Sequence, residues 1–280
     1  MLVLTGSQSH AEAATDRDVL QAIDALEGLD AMPVLLLCRT GKDERDARLV
    51  RAVLDRKALG VFPLDEPETR FRALVYCLCR LRPQAFGQAP AVVDALRPTL
   101  RTRIVLTSVS RLTHPAPSLG QHLQSMLPGS CFELDLNQER VTSISSITWA
   151  APAAGRLALW AADDKTGRIT ANLPRLGLHR EPLLPVSRQW PAKAWAEMTV
   201  LDADPSPLAN EALAQIARMI CPHCGQRATP MGCLMCGTWP RTSISRPAPA
   251  PPPAPSGPPA SPAPAPMPPT FSPELAKESR

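Results

Sequence analysis

The sequence predicts an α/β domain built on a small parallel sheet, then a mixed, β-rich α+β domain, a compact four-cysteine module and a disordered proline-rich tail. Three observations lead there. Short continuous apolar runs alternate with amphipathic stretches over the first 83 residues, the pattern of strands buried on both faces and joined by helical crossovers. Two Cys-x-x-Cys-Gly segments lie close together between Cys221 and Gly237. Of the 33 prolines, 14 fall between Pro247 and Pro273, so that segment has no core to repay its ordering.

The elements follow in order. Residues 2–5 are a short apolar run. Thr15 precedes Asp18 by three residues, a capping-box-like start for a helix carrying Val19, Leu20, Ile23 and Leu26. Pro33 opens the unbroken run Val34-Leu35-Leu36-Leu37-Cys38, a strand buried on both faces. A second helix sets Leu49, Val50, Val53 and Leu54 against Arg45, Arg48, Arg51 and Arg56. Residues 59–62 read as a third strand and 67–82 as a third helix, and such β-α pairs imply right-handed crossovers. Residues 84–99, with Phe86-Gly87, Pro90 and Pro98, read as a linker. A strand over 103–110 and a helix from Ser118 to before Pro128 come next. Phe132, Leu134 and Leu136 then alternate with polar positions, and 141–149, 156–161 and 168–173 complete a meander with a turn at 164–167. A strand over 195–201 and a helix opened by Ser206-Pro207 precede the cysteines. The predicted divisions are an α/β domain over 1–83, a linker over 84–99 and a β-rich domain over 100–218. The cysteine module over 219–240 and the tail over 241–280 complete them.

Composition narrows the function classes. No run of 18 apolar residues exists, which excludes a membrane-spanning helix. The first five residues are apolar but lack a basic flank, so the expected compartment is the cytoplasm. A net charge of +4 is small for a protein that coats nucleic acid. The 25 Arg against 5 Lys, with abundant Ala, Pro and Leu, point to a GC-rich, bacterial source. Eight cysteines without an export signal read as thiols or metal ligands.

Cys221, Cys224, Cys233 and Cys236 carry the strongest chemistry. Zinc takes four thiolates in a tetrahedron, and two residues between paired cysteines let one tight turn supply two ligands. Gly225 and Gly237 follow where the chain must turn through positive φ. Over residues 219–239 the module resembles the small four-cysteine zinc ribbons of bacterial proteins, which implies one structural Zn2+ per chain. His223 reads as a spacer, because four cysteines already fill the tetrahedron. Arg218, Arg227, Arg241 and Trp239 are the candidate nucleic-acid contacts, but four thiolates and one zinc leave about two negative charges beside them.

Residues 1–82 resemble, in the order of their elements, a truncated and degenerate response-regulator receiver domain, so a flavodoxin- or receiver-like sheet is expected. The family's phosphate-accepting Asp position falls at Thr5 and Gly6, its hydroxyl position on Cys38 and its lysine on Leu64. No phosphotransfer residue is therefore carried over. Cys38-Arg39-Thr40-Gly41 resembles the opening of a rhodanese active loop and the cysteine phosphatase loop. The second rhodanese Arg falls on Asp43, and Asp43, Glu44 and Asp46 oppose an anion there. Asp163-Asp164 reads as a turn, and Trp149, Trp160, Trp190 and Trp195 as packing.

The expectation is thus a non-catalytic adaptor or scaffold that meets protein partners, with no membrane contact and no identified small-molecule substrate. The alternatives are a nucleic-acid-associated regulator using the ribbon, and a sulfur-transfer or phosphatase-like enzyme using Cys38.

Overall fold

The structure is a computed structural model, and it describes residues 2–4, 13–27, 29, 32–39, 41–56, 58–149, 156–172, 179–180, 190–216 and 219–238. The tail, 241–280, lies outside them, as do Arg218, Trp239 and Arg241. Residues 1–240 form one compact unit.

The first layer is a three-stranded parallel sheet of β1 (Leu2–Leu4), β2 (Val34–Cys38) and β3 (Leu59–Pro63), in that spatial order. Every residue of β2 is buried. Its side chains alternate between two cores. Val34, Leu36 and Cys38 meet α1 (Ala13–Glu27) and α2 (Lys42–Leu54). Leu35 and Leu37 meet α3 (Glu68–Leu78) and α4 (Ala89–Leu96) on the other side.

The larger layer is a six-stranded sheet in the order β6-β5-β4-β9-β7-β8. Its members are β4 (Leu100–Leu106), β5 (Cys131–Asp135), β6 (Arg140–Ile144), β7 (Leu157–Asp163), β8 (His179–Arg180) and β9 (Trp195–Leu201). Five strands run antiparallel, and the short β8 pairs parallel with β7 at the edge. The register places Leu100, Thr102, Ile104 and Leu106 opposite Leu201, Thr199, Glu197 and Trp195, so these eight side chains share one face. The opposite face buries Val105, Ala158, Trp160, Ala196 and Met198 with Trp149.

This corrects the expected fold class. The chain is not a flavodoxin- or receiver-like parallel sheet followed by a separate β-rich domain. Its principal sheet is the six-stranded, largely antiparallel one. The physical reason is α3, which packs on β7 and β9 as well as against Leu35 and Leu37 of β2, making one continuous core. Residues 84–99 also differ from the expected connection. They form a 3-10 turn (Pro83–Gln88) and α4, whose Ala89, Val92, Val93 and Leu96 are fully buried. Pro90 sits in the first turn of α4, where its missing N–H has no helical partner to lose. The predicted strand over 168–173 is instead a 3-10 turn at Thr170–Asn172. Asp164 organises it, accepting from the Ile169 and Thr170 amides at 2.6 and 3.0 Å. Burial pushes the Asp164 carboxyl up, but these bonds outweigh it and hold the group below the ordinary carboxylate range.

After β9, α6 (Pro205–Gln215) is capped by Asp204, which accepts from the Ser206 amide at 2.9 Å. The chain ends its described course in β10 (Met219–Ile220), β11 (Arg227–Ala228) and the two cysteine knuckles.

Candidate functional site

Cys221 and Cys224 stand on one tight turn, and Cys233 and Cys236 on another. The turns share one hydrogen-bond plan. Gly225 N–H donates to Cys221 C=O at 2.9 Å, and Gly237 N–H to Cys233 C=O at 2.8 Å. Cys221 N–H then donates to Gln226 C=O, and Cys233 N–H to Thr238 C=O, at 2.8 and 2.9 Å. Gly225 and Gly237 hold φ of 71° and 72°, the left-handed region each knuckle requires. β10, before the first knuckle, pairs antiparallel with β11, after it, and so closes that turn.

The four sulfurs all lie within 4.8 Å of one another. Cys221 and Cys236 are 3.6 Å apart, and Cys224 and Cys233 are 3.5 Å apart. A tetrahedron with Zn–S bonds of about 2.3 Å has edges of about 3.8 Å. The chain thus gathers four thiols at metal-binding distance, and this cluster could hold a metal ion.

Burial pushes the Cys233 thiol up to about 12, against the opposing Cys236 N–H. At Cys236 burial also raises the thiol, but the Thr238 hydroxyl and N–H and the neighbouring sulfurs bring it down to about 7. Four adjacent thiols cannot all ionise without a cation between them, which is the condition a bound metal satisfies. His223 is exposed, consistent with a spacer.

The knuckles are not an appendage. Met235, between Cys233 and Cys236, is 1% exposed and joins Leu35, Leu37, Phe71 and Leu201 in the main core. It reaches two glycines. A Cβ on Gly60 would sit 2.9 Å from Met235 Sδ, and one on Gly87 would sit 1.8 Å from the Arg227 carbonyl oxygen. Gly87 is therefore a contact point between the 3-10 turn and β11. The Cys-x-x-Cys spacing marks Met235 only as a spacer, and nothing local marks Gly60 or Gly87 as its seat.

A second feature is a cleft of about 890 Å³ at the end of β4, lined by the loop over 107–111, residues 125–130 and residues 190–193. Arg111, Arg168 and Lys193 border it, and no Asp or Glu is among the lining residues. Arg168 donates to the Gly129 carbonyl at 2.7 Å. Trp190 forms part of the wall, its indole N–H held by Glu197 at 2.9 Å. Beside the cleft, α5 (Leu119–Gln124) and the turn after it carry Leu119, Leu123, Met126 and Leu127 at i, i+4, i+7 and i+8. All four are exposed, from 59% to 77%. A stripe at this helical spacing commonly faces a core; here it is open to solvent.

The remaining candidates separate. Cys38 is fully buried, and burial, then Glu44 and Asp43, push its thiol up to about 12. Such a thiol is no nucleophile at neutral pH, so the Cys38 enzyme reading is withdrawn. Of the nucleic-acid candidates, only Arg227 lies among the described residues, and it is half-buried on β11. Trp149, Trp160 and Trp195 are packing residues.

No protein-family model matches the chain, and no curated protein matches it. Solved structures resemble it in outline. A DegV family protein from Eubacterium eligens, loaded with heptadecanoic acid, is 12% identical, covers 65% of this chain and 78% of its own, and gives a TM-score of 0.43. The Fatty Acid Kinase B3 protein of Streptococcus pneumoniae, loaded with linoleic acid, is 13% identical over 66% of this chain and 76% of its own, at 0.40. A stearic acid-binding protein from Eubacterium ventriosum is 10% identical with the same coverage, at 0.41. These neighbours hold small molecules, against the expectation of an adaptor or nucleic-acid regulator with no small-molecule ligand, and that expectation is corrected. At these scores no ligand and no residue role is carried over from them.

Proposed function

We propose that Cys221, Cys224, Cys233 and Cys236 hold one structural Zn2+ per chain, and that the metal clamps the 219–238 segment onto the body of the protein. The carrying observation is the doubled knuckle with four sulfurs within 4.8 Å. A set of four thiolates suits zinc or iron, and four protein ligands leave no open position for catalysis. Main-chain N–H groups of Gln226, Cys236 and Thr238 bond to the sulfurs of Cys224, Cys233 and Cys236, supporting thiolate charge in the manner of a metal's outer shell. Metal analysis of freshly purified, reduced protein should give about one zinc per chain. Cys236→Ser, at a half-exposed ligand, should lose it. A metal-free preparation, or a red one holding iron, would refute the proposal.

A second reading concerns the cleft. Three cationic side chains without a lining acid, next to an exposed apolar stripe, form a surface for an anionic amphiphile: a carboxylate on a single acyl chain. The reading rests on the lining, not on the distant structural likeness. Titration with a fluorescent sixteen-carbon carboxylic acid should saturate at one per chain. Lys193→Glu should weaken it about tenfold, the effect of replacing one attractive charge with a repulsive one. Binding that is unsaturable, or indifferent to that charge, would sink the reading.

A further inference from the structure

A different cavity, of about 700 Å³, lies where the end of α3 and the 3-10 turn face α6 and β11. Arg80 and Arg82, from the turn after α3, and Arg227, from β11, line it, and no Asp or Glu is among the lining residues. Elsewhere the molecule pairs its arginines with acids: Arg39 and Arg72 share Glu68, and Arg70 and Arg97 share Glu66. Among the described residues none of the three cavity arginines has an acidic partner. Arg82 and Arg227 donate no side-chain hydrogen bond within that set either. Arg80 is held in place, its guanidinium 3.7 Å from the Tyr76 ring centroid and donating to the Tyr76 carbonyl at 2.7 Å.

Three cations around one concavity repel one another, and no acid among the lining residues offsets them. A dianion in the cavity would offset that repulsion. Guanidinium forks match the oxygens of a phosphate with paired hydrogen bonds, and Asn210 adds a neutral polar group on the α6 side. The floor is apolar, with Leu81 buried and Leu213 half-buried beside it, so inorganic phosphate alone would leave it uncovered. We infer that this cavity binds a small organic phosphate, its phosphate on Arg80, Arg82 and Arg227 and its apolar body against Leu81 and Leu213. The site is separate from the metal centre and from the cleft beside α5.

Calorimetric titration of the full chain with phenyl phosphate tests it, against inorganic phosphate, which lacks the body, and benzyl alcohol, which lacks the charge. Phenyl phosphate should saturate at one per chain, inorganic phosphate should bind about tenfold more weakly, and benzyl alcohol should not bind. Arg82→Gln and Arg227→Gln should each weaken phenyl phosphate by about tenfold, the scale of one lost charge-assisted hydrogen bond. Should Arg227→Gln fail to fold, Arg82→Gln, altering an exposed side chain, carries the test. The inference is overturned if phenyl phosphate does not saturate, or if Arg82→Gln binds it unchanged. It is equally overturned if a single-stranded oligonucleotide displaces the probe with an affinity that grows with strand length.

Discussion

Gly87 shows how a single residue sets the docking of a whole module. Its position on the 3-10 turn leaves no room for a methyl group, because the Arg227 carbonyl oxygen occupies the place where a Cβ would stand, 1.8 Å away. The obstacle is main chain, so no rotamer change relieves it. Gly87→Ala should destabilise the protein by about 2–3 kcal/mol, the upper part of the range for overpacking. A urea midpoint unchanged from the parent would show that β11 does not seat there. Gly41 makes the contrast: a Cβ there meets nothing within 4 Å, and its φ of 84° is the only objection to a side chain. Gly41→Ala should cost about 1 kcal/mol by the same measurement.

At the scale of elements, a buried carboxylate joins α3 to β9. Glu197 is fully buried on β9, and its Oε1 accepts from both the amide and the hydroxyl of Thr69, each at 2.6 Å, in the first turn of α3. Thr69 continues through Thr199 to Thr102 at 2.7 and 2.9 Å, so the network runs from α3 across β9 to β4. No cation offsets the Glu197 charge in that network. Burial pushes its carboxyl above the ordinary range; the bonds from Thr69 and Trp190 oppose this, and nearby Glu68 adds to it.

The sign of the pH effect follows. The unfolded chain releases the Glu197 proton near pH 4.3. The folded chain keeps it to higher pH, so this group's contribution is fully present below that value and is lost as pH rises through the folded pKa. Glu197→Gln should flatten that decline in a series of denaturation curves from pH 4 upward. It should also lower stability at every pH, because an amide cannot accept on both sides as the carboxylate does. An unaltered pH slope would remove Glu197 from the account.

For residues 1–240 as a whole, the decisive feature is one core shared by both sheets, α3, α4, α6 and the cysteine knuckles. Cys221, Cys233, Ala228 and Met235 belong to the same apolar cluster as Leu35, Phe71, Leu159 and Leu201. Metal removal should therefore loosen more than the knuckles. Chelation should lower a single cooperative transition, seen alike by far-ultraviolet dichroism and by tryptophan fluorescence, since the buried Trp195 reports from β9. A chelated protein whose tryptophan transition stays in place would mean that the knuckles unfold alone.

Local chemistry made part of this legible from residues alone. Cys-x-x-Cys-Gly specifies its own turn, because the glycine's positive φ and the two-residue spacing act within a few bonds, so the four clustered thiols could be named without a fold. The continuous apolar run at 34–38 likewise identifies β2, since only a strand covered on both sides tolerates it. The tertiary structure alone decided which sheet dominates, because strand pairing over a hundred residues leaves no mark in local periodicity. It also decided that the Pro90 segment is a core helix, and that Met235 fills a seat between two glycines. Periodicity shows that a helix has an apolar face but not whether a neighbour covers it. The stripe on α5 stands open in the fold, and Arg80 and Arg82 come to one cavity with Arg227 only because two distant segments meet beside α6.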